Sequence, residues 1–324
     1  MTNTKTPAHL IATAESHLGL ELSVGEPDIA GPLAIFPLFG PKPEQAYLSF
    51  REACESGARV HETPDGASVN KLVIENPLVQ QILLYPGEQV QGAQQDRIFD
   101  SPTLVPARSK LTVTVNCVEQ GRWDLSRHDE DLLPAPEAAH PGLRRQLQRL
   151  EATPIAHGAS DRQDAVWEQV AETSQRYSAE SLTGAMGDVF AHGRERVAAI
   201  ADAIPVHEGQ CGAIAAIGER LDVLDYVSRP ESFASLHPAL VRGYALDALD
   251  AAPADPPAIE TARGFTLLVN DCPLGINPSP GNGEEVVISA NGIGGFGLRA
   301  AGEVVQLTAF AGDELGSERR RVLR

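Results

Sequence analysis

The sequence predicts an α+β fold, with antiparallel, sandwich-like β-meanders at both ends of the chain and a helical cluster between and against them. Three observations predict it. Apolar residues alternate with a period of two before Trp123 and again in the closing stretch from Gly283. They recur at helical spacing from Leu143 to Ile204 and from Pro230 to Asp250. Strands and helices are segregated rather than interleaved, the arrangement of α+β chains.

Along the chain, GPLAIFPLF is a short apolar strand closed by Gly and Pro. EQAYLSFREACESG has helical spacing and a stop at Gly57. ARVHE and SVNKLVIEN are two strands split by the turn Thr-Pro-Asp-Gly. VQQILLYPGEQVQG reads as strand, Pro-Gly turn and strand, and TLVPARSKLTVTVNCV repeats that scheme. Leu111, Val113, Val115 and Cys117 share one face of the last strand, so Cys117 is a core thiol. Three helical patterns follow: LRRQLQRLEA, DRQDAVWEQVAETSQRY and MGDVFAHGRERVAAIADAI. CGAIAAIGERLDVLDYV is a hairpin turning at Gly218-Glu219, PESFASLHPALVRGYALDALD is helical, and the end forms three short strands. The 324 residues read as a single large domain, with a division into lobes 1–125 and 140–324 left open. The Pro-, Ala- and acid-rich stretch near 126–140 would be the connection.

A formal charge of −18 and a pI near 4.9 exclude nucleic acid as the main partner, because a phosphate backbone needs a basic stripe. The one dense cationic run, Arg319-Arg320-Arg321 with Arg324, reads as a solvated tail. No apolar run reaches membrane-spanning length, and MTNTKTPAHLIATAESHL has no signal-peptide core. Four separated cysteines and nine scattered histidines fit a cytoplasmic protein without a zinc site.

The stretch from Gly92 to Trp123 carries the candidate site. If its second strand pair turns at Ala107-Arg108, Ile98 faces Cys117, Asp96 lies near Glu119, and Gln95 lies near Gln120. Both polar ends, Gln-Gln-Asp-Arg and Glu-Gln-Gly-Arg-Trp, then share one edge of a sheet. From Glu88 to Trp123 the acids Glu88, Asp96, Asp100 and Glu119 balance the bases Arg97, Arg108, Lys110 and Arg122. In this reading Arg97 and Arg122 clamp an anionic group, and Gln95 and Gln120 supply amide hydrogen bonds. Trp123 stacks on a ring, Glu88 contributes from the neighbouring strand, and Glu119 is the candidate catalytic acid/base. Acid/base work needs a carboxylate whose pKa is moved toward neutrality. Asp96 and Glu119 are also the weak candidates for a hard divalent cation, which takes oxygen ligands, although no recognisable metal loop accompanies them.

The string PGEQVQGAQQDRIFDSPTLVPARSKLTVTVNCVEQGRW resembles the ARG and rhodanese-phosphatase-superfamily-associated protein family. The Gln-x-x-x-Trp of QDAVW, GQCGAIAAIGERLDVLDYVSRPESF, YALDALD and VVQLTAF extend the resemblance over most of the chain. The resemblance implies a role near ADP-ribose or NAD metabolism and a nucleotide-derived small molecule as ligand. Where the family pattern reads Gly-Ala-Lys-Gln-Asn-Arg, this chain has Gly-Ala-Gln94-Gln95-Asp96-Arg97. That removes one positive charge and adds one negative, so a phosphate is held less well and a neutral or cation-assisted ligand gains ground.

Two readings stay open at this point. One is a protein that binds or processes a small nucleotide-derived ligand. The other is a scaffold, or a self-associating homo-oligomer with open sheet edges, whose polar cluster only sets strand register.

Overall fold

The computed structural model describes residues 17–312, except 65, 67, 153–158 and 291. The head before residue 17 and the Arg319–Arg324 tail lie outside the described residues. The elements in chain order are β1 (Ser23–Val24), β2 (Asp28–Ala30), β3 (Leu33–Phe39), β4 (Tyr47–Ser49), α1 (Phe50–Glu55), β5 (Arg59–His61) and β6 (Lys71–Asn76). Next come β7 (Gln81–Leu84), β8 (Glu88–Gly92), β9 (Arg97–Phe99), β10 (Thr103–Val105), β11 (Ser109–Cys117) and β12 (Leu132–Ala138). Four helices follow: α2 (Pro141–Ala152), α3 (Ala159–Arg176), α4 (Met186–His192) and α5 (Arg194–Ala201). Then come β13 (Gly212–Ile217), β14 (Arg220–Val227), α6 (Pro230–Ala248), α7 (Ile259–Asn270), β15 (Leu274–Pro278), β16 (Glu284–Ala290), β17 (Ile293–Ala300) and β18 (Glu303–Phe310). This is the α+β class that the pattern predicts.

Three sheets result. The largest runs β1-β3-β13-β14-β18-β17-β16-β15, with β2 also on β3; the others run β10-β7-β4 and β12-β8-β9-β11-β6-β5. In the middle of the large sheet both faces are buried. Ala213, Ala215, Val223 and Val227 join one apolar cluster with α6, while Ile214, Ala216, Leu224 and Tyr226 join another with Phe265 and Val269 of α7. Two buried faces explain why β13 reads as an unbroken apolar run rather than an alternating one. Gly243 lets α6 lie directly on the end of β12: a Cβ there would sit 2.9 Å from the Ala138 carbonyl oxygen. No helix among the described residues is long and apolar enough to cross a membrane.

Several expected elements change. Tyr47–Ser49 is a strand parallel to β7, and the helix starts only at Phe50. A capping box decides this: the Ser49 hydroxyl accepts from Glu52 N, and the Glu52 carboxylate accepts from Ser49 N. Gly57, at φ +105°, follows the helix as expected. The two hairpins expected between Gln81 and Cys117 do not form. The Pro86-Gly87 corner sends β8 into a different sheet from β7, and the Asp100-Ser101-Pro102 break sends β10 back to β7. β11 pairs instead with β6 along its first six residues and with β9 along its last three. The stretch expected as a connection contains β12, an edge strand on β8. α7, β15 and the short strands β1 and β2 were not expected. The third helical pattern breaks at Gly193 into α4 and α5.

The layers are joined by a buried polar knot. Asp225 of β14 receives Arg144 Nη1 of α2 (2.9 Å), Tyr244 Oη of α6 (2.5 Å) and Thr308 Oγ1 of β18 (2.8 Å). Arg144 Nη1 and Tyr244 are on Oδ2, while Thr308, Tyr85 Oη from the β7–β8 corner and Arg144 Nη2 share Oδ1. Burial pushes the Asp225 carboxyl up, but Arg144 and the hydroxyls outweigh it and hold it below the usual range. Removing one member of a buried charge pair typically costs about 3–5 kcal/mol, so Asp225→Asn is expected to lower unfolding free energy in urea by about that amount.

Glu88 behaves in the opposite way. Burial pushes its carboxyl up to about 7, and its one hydrogen bond, from Tyr85 N at 3.0 Å, does not compensate. A raised acid stabilises the fold fully below its unfolded pKa, and that contribution fades as pH rises through about 7. Wild-type stability should therefore fall by roughly 2–3 kcal/mol from pH 4.5 to 8 on this account, and thermal melts of Glu88→Gln should lack that slope.

Candidate functional site

Strand β8 ends at Gly92, whose φ of +121° turns the chain through Ala93 and back into β9. Asp96 closes this turn by accepting Gly92 N through Oδ1 at 3.1 Å. β11 then brings its far end alongside. Cys117 faces Arg97, one residue off the expected register, and Val118 N donates to Asp96 O at 3.1 Å. The two polar segments therefore meet. Asp96 N donates to Glu119 Oε2 (3.2 Å) and Gln95 Nε2 to Glu119 O (2.6 Å).

What they form is a staple. Arg122 donates from Nε to Glu119 Oε2 (2.8 Å), from Nη2 to Asp96 Oδ1 (2.9 Å) and from Nη1 to Ala93 O (2.7 Å). One guanidinium compensates two carboxylates and a carbonyl. Burial pushes Glu119 up, yet Arg122, the Thr183 hydroxyl and Asp96 N outweigh it, and its pKa ends lowered. That is opposite to what an acid/base group needs. In Asp96 the order reverses: burial and the neighbouring Glu119 charge win, so its pKa is raised. Because Arg122 already neutralises this pair, a divalent cation there would have to displace a guanidinium. Among the described residues no group of three or more His, Cys, Asp or Glu side chains is arranged to hold a metal ion.

Arg97 goes elsewhere. Its side chain is fully buried on the other side of the turn, where Nη2 lies 3.6 Å from Glu62 Oε1 and Cζ lies 5.7 Å from the centre of the Trp123 ring. Among the described residues, none of its three guanidinium nitrogens has a hydrogen-bond partner, and neither carboxylate oxygen of Glu62 has one of ordinary geometry. The side-chain oxygens of Gln94 and Gln95 are buried and unpartnered as well. Burial pushes the Glu62 carboxyl up, against the pull of Arg97 and the Gln94 amide. Gln94 Nε2 lies 3.0 Å from His128 Nδ1, which closes one side of the cluster. Trp123, 41% exposed, is the open side.

The remaining expected residues lie apart from this cluster. Gln120 is exposed. Glu88 is buried at the opposite end of β8, where it caps Tyr85 N. Cys117 is a core thiol pushed up to about 11 by burial. Sequence reasoning missed Glu62, Gln94 and His128. Gln94 carried a signal, as the first departure from the family pattern; Glu62 and His128 carried none, since they come from the residue after β5 and from the loop before β12.

Helix α3 secures the end of β11. Gln163 accepts Cys117 N and donates to Cys117 O, both at 2.8 Å, so an amide side chain stands in for a missing neighbouring strand. This is the Gln of QDAVW, 46 residues from its partner. The model of the ARPP-1 domain, the ARG and Rhodanese-Phosphatase-superfamily-associated Protein domain, matches residues 21–310. The chain belongs to the ARPP-1 family. No curated protein and no solved structure matches it significantly. The ARPP-1 match takes in both the staple and the Arg97 cluster.

Arg122→Ala should leave Asp96 and Glu119 facing each other without a cation and lower stability by roughly 1.5–3 kcal/mol, the worth of hydrogen bonds to charged groups. Gln120→Ala should change it by less than about 0.5 kcal/mol. Chemical denaturation of the two variants checks the contrast.

Proposed function

We propose that the protein binds a small nucleotide-derived ligand, of the ADP-ribose class, in the Arg97 cluster. One observation carries this reading: a guanidinium with no exposed surface and no hydrogen-bond partner among the described residues. A buried charge left unpaired costs several kcal/mol, and an ion pair at 3.6 Å with a carboxyl raised by burial offsets little of it. Phosphate or ribose oxygens would satisfy the guanidinium, and ligand hydroxyls would satisfy the free oxygens of Gln94, Gln95 and Glu62. Trp123 offers half of a ring face for a base. Glu62, next to that guanidinium and shifted toward neutrality, takes over the proton-transfer role first given to Glu119.

The family description points to the same chemistry, since it names an association with ARG proteins. The charge added at Asp96 weighs less against a phosphate than the sequence alone implies, because Arg122 absorbs it. The scaffold reading draws its support from the staple, where Asp96, Glu119 and Arg122 satisfy one another.

Calorimetric titration with ADP-ribose, NAD and AMP separates the two. Saturable heat with at least one of them is expected, weakened at least about tenfold by Trp123→Ala or Arg97→Lys while the folded state persists. No heat with any of the three, or heat that both variants leave unchanged, would leave the scaffold reading standing.

A further inference from the structure

The Arg97 cluster is sealed. Arg97 and Gln94 have no exposed surface, and Gln95 and Glu62 are only 3% and 4% exposed. A ligand reaches these side chains only if something covering them moves. One stretch of chain, residues 123–130, supplies the cover. It contributes the Trp123 ring, 5.7 Å from the Arg97 guanidinium, and the His128 ring beside Gln94. His128 also lies within electrostatic reach of Glu62.

Both ends of this stretch are pinned. Before it, Arg122 holds Ala93, Asp96 and Glu119 together. After it, Asp131 lies 2.7 Å from Arg59 Nη2 and 2.9 Å from His61 Nδ1, and Leu132 enters the ladder with β8.

Between the anchors, residues 123–130 hold chiefly to one another. Asp124 Oδ1 accepts Ser126 N (3.0 Å) and Ser126 Oγ (2.6 Å), which caps the 3₁₀ turn Leu125–Arg127. Arg127 Nε donates to Glu130 Oε2 at 2.8 Å. Among the described residues, the stretch makes hydrogen bonds to the rest of the protein at Gln94 alone. Asp124 N donates to Gln94 O at 3.3 Å, and Gln94 Nε2 donates to His128 Nδ1 at 3.0 Å. None of residues 123–130 is buried, and Leu125 is 69% exposed. Lifting the stretch therefore gives up little apolar burial, the property of segments that open well below the cost of global unfolding.

We propose that residues 123–130 are a lid over the Arg97 cluster, anchored at Arg122 and Asp131 and latched by Gln94, which swings out to admit the ligand. The proposal rests on the ligand reading of that cluster, but the motion is measurable without a ligand.

Limited digestion of the folded full chain with trypsin reads the opening, because Arg127 lies inside the lid and a protease needs a locally opened segment. Cleavage after Arg144, which is buried in α2, reports global unfolding in the same digest. In wild type, cleavage after Arg127 should outrun cleavage after Arg144. Gln94→Ala should raise that ratio at least about tenfold, and His128→Ala, a change at a half-buried side chain, should raise it in the same direction. ADP-ribose should lower it in wild type. Cleavage after Arg127 no faster than after Arg144, or a ratio that both variants leave unchanged, overturns the lid. Calorimetric heat from ADP-ribose without any slowing of cleavage after Arg127 overturns it as well. If the variants act as expected and ADP-ribose, NAD and AMP give no heat, the lid stands and the ligand reading alone falls.

Discussion

The carboxylate of Asp225 is the constraint on which the rest of the architecture depends. It sits in the fourth strand of the large sheet with no exposed surface, and a lone charge there would not be tolerated. Its compensation comes from four distant parts of the chain: Arg144 in α2, Tyr85 at the sheet-to-sheet corner, Tyr244 in α6 and Thr308 in β18. Each partner fixes one layer relative to the others. The Tyr85 corner also sets where β8 starts, and Arg144 lies so close to Gly87 that a Cβ there would meet its side chain at 2.7 Å. The position of the Arg97 cluster at the other end of β8 follows from that corner.

Seen from this knot, the division of labour at the β8–β9 turn makes physical sense. A two-residue ladder between β8 and β9 is too short to hold a turn by itself. Arg122 supplies what the ladder lacks by tying Ala93, Asp96 and Glu119 together, and Gln163 does the same for the end of β11. Alternation along β9 then turns Arg97 away from the staple. The turn thus has one rigid, self-satisfied half and one unsatisfied half, the arrangement that the proposed ligand binding would use. The first half holds position, and the second leaves donors and acceptors without partners.

Much of the fold was legible because its signals are local. Gly57, Gly218-Glu219 and the periodicity of α2, α3 and α6 all announce themselves within a few residues. Pairing partners were not legible where a corner sends neighbouring strands to different sheets. Pro86-Gly87 looks like a hairpin turn, and only the packing of Arg144 on Gly87 shows that it is a corner. The convergence of Asp96 with Glu119 was legible for a different reason. It requires only that β9 and β11 be antiparallel neighbours, and a one-residue change in register leaves both polar ends at the same edge. The direction of Arg97 depended on that one residue, since a unit shift moves a side chain to the opposite face.

The same reasoning explains why Glu62 escaped notice although it completes the cluster. It follows a three-residue strand at the far edge of the six-stranded sheet, 35 residues before Arg97, and no local pattern links the two. What links them is that β5 and β9 flank β6 and β11, and the β11 strand switches partner from β6 to β9 between Thr114 and Val115. The side chains of Glu62 and Arg97 come from the two sides of that switch, and among the described residues neither they nor the side-chain oxygens of Gln94 and Gln95 find hydrogen-bond partners. The unsatisfied guanidinium is therefore a consequence of sheet topology as much as of residue choice.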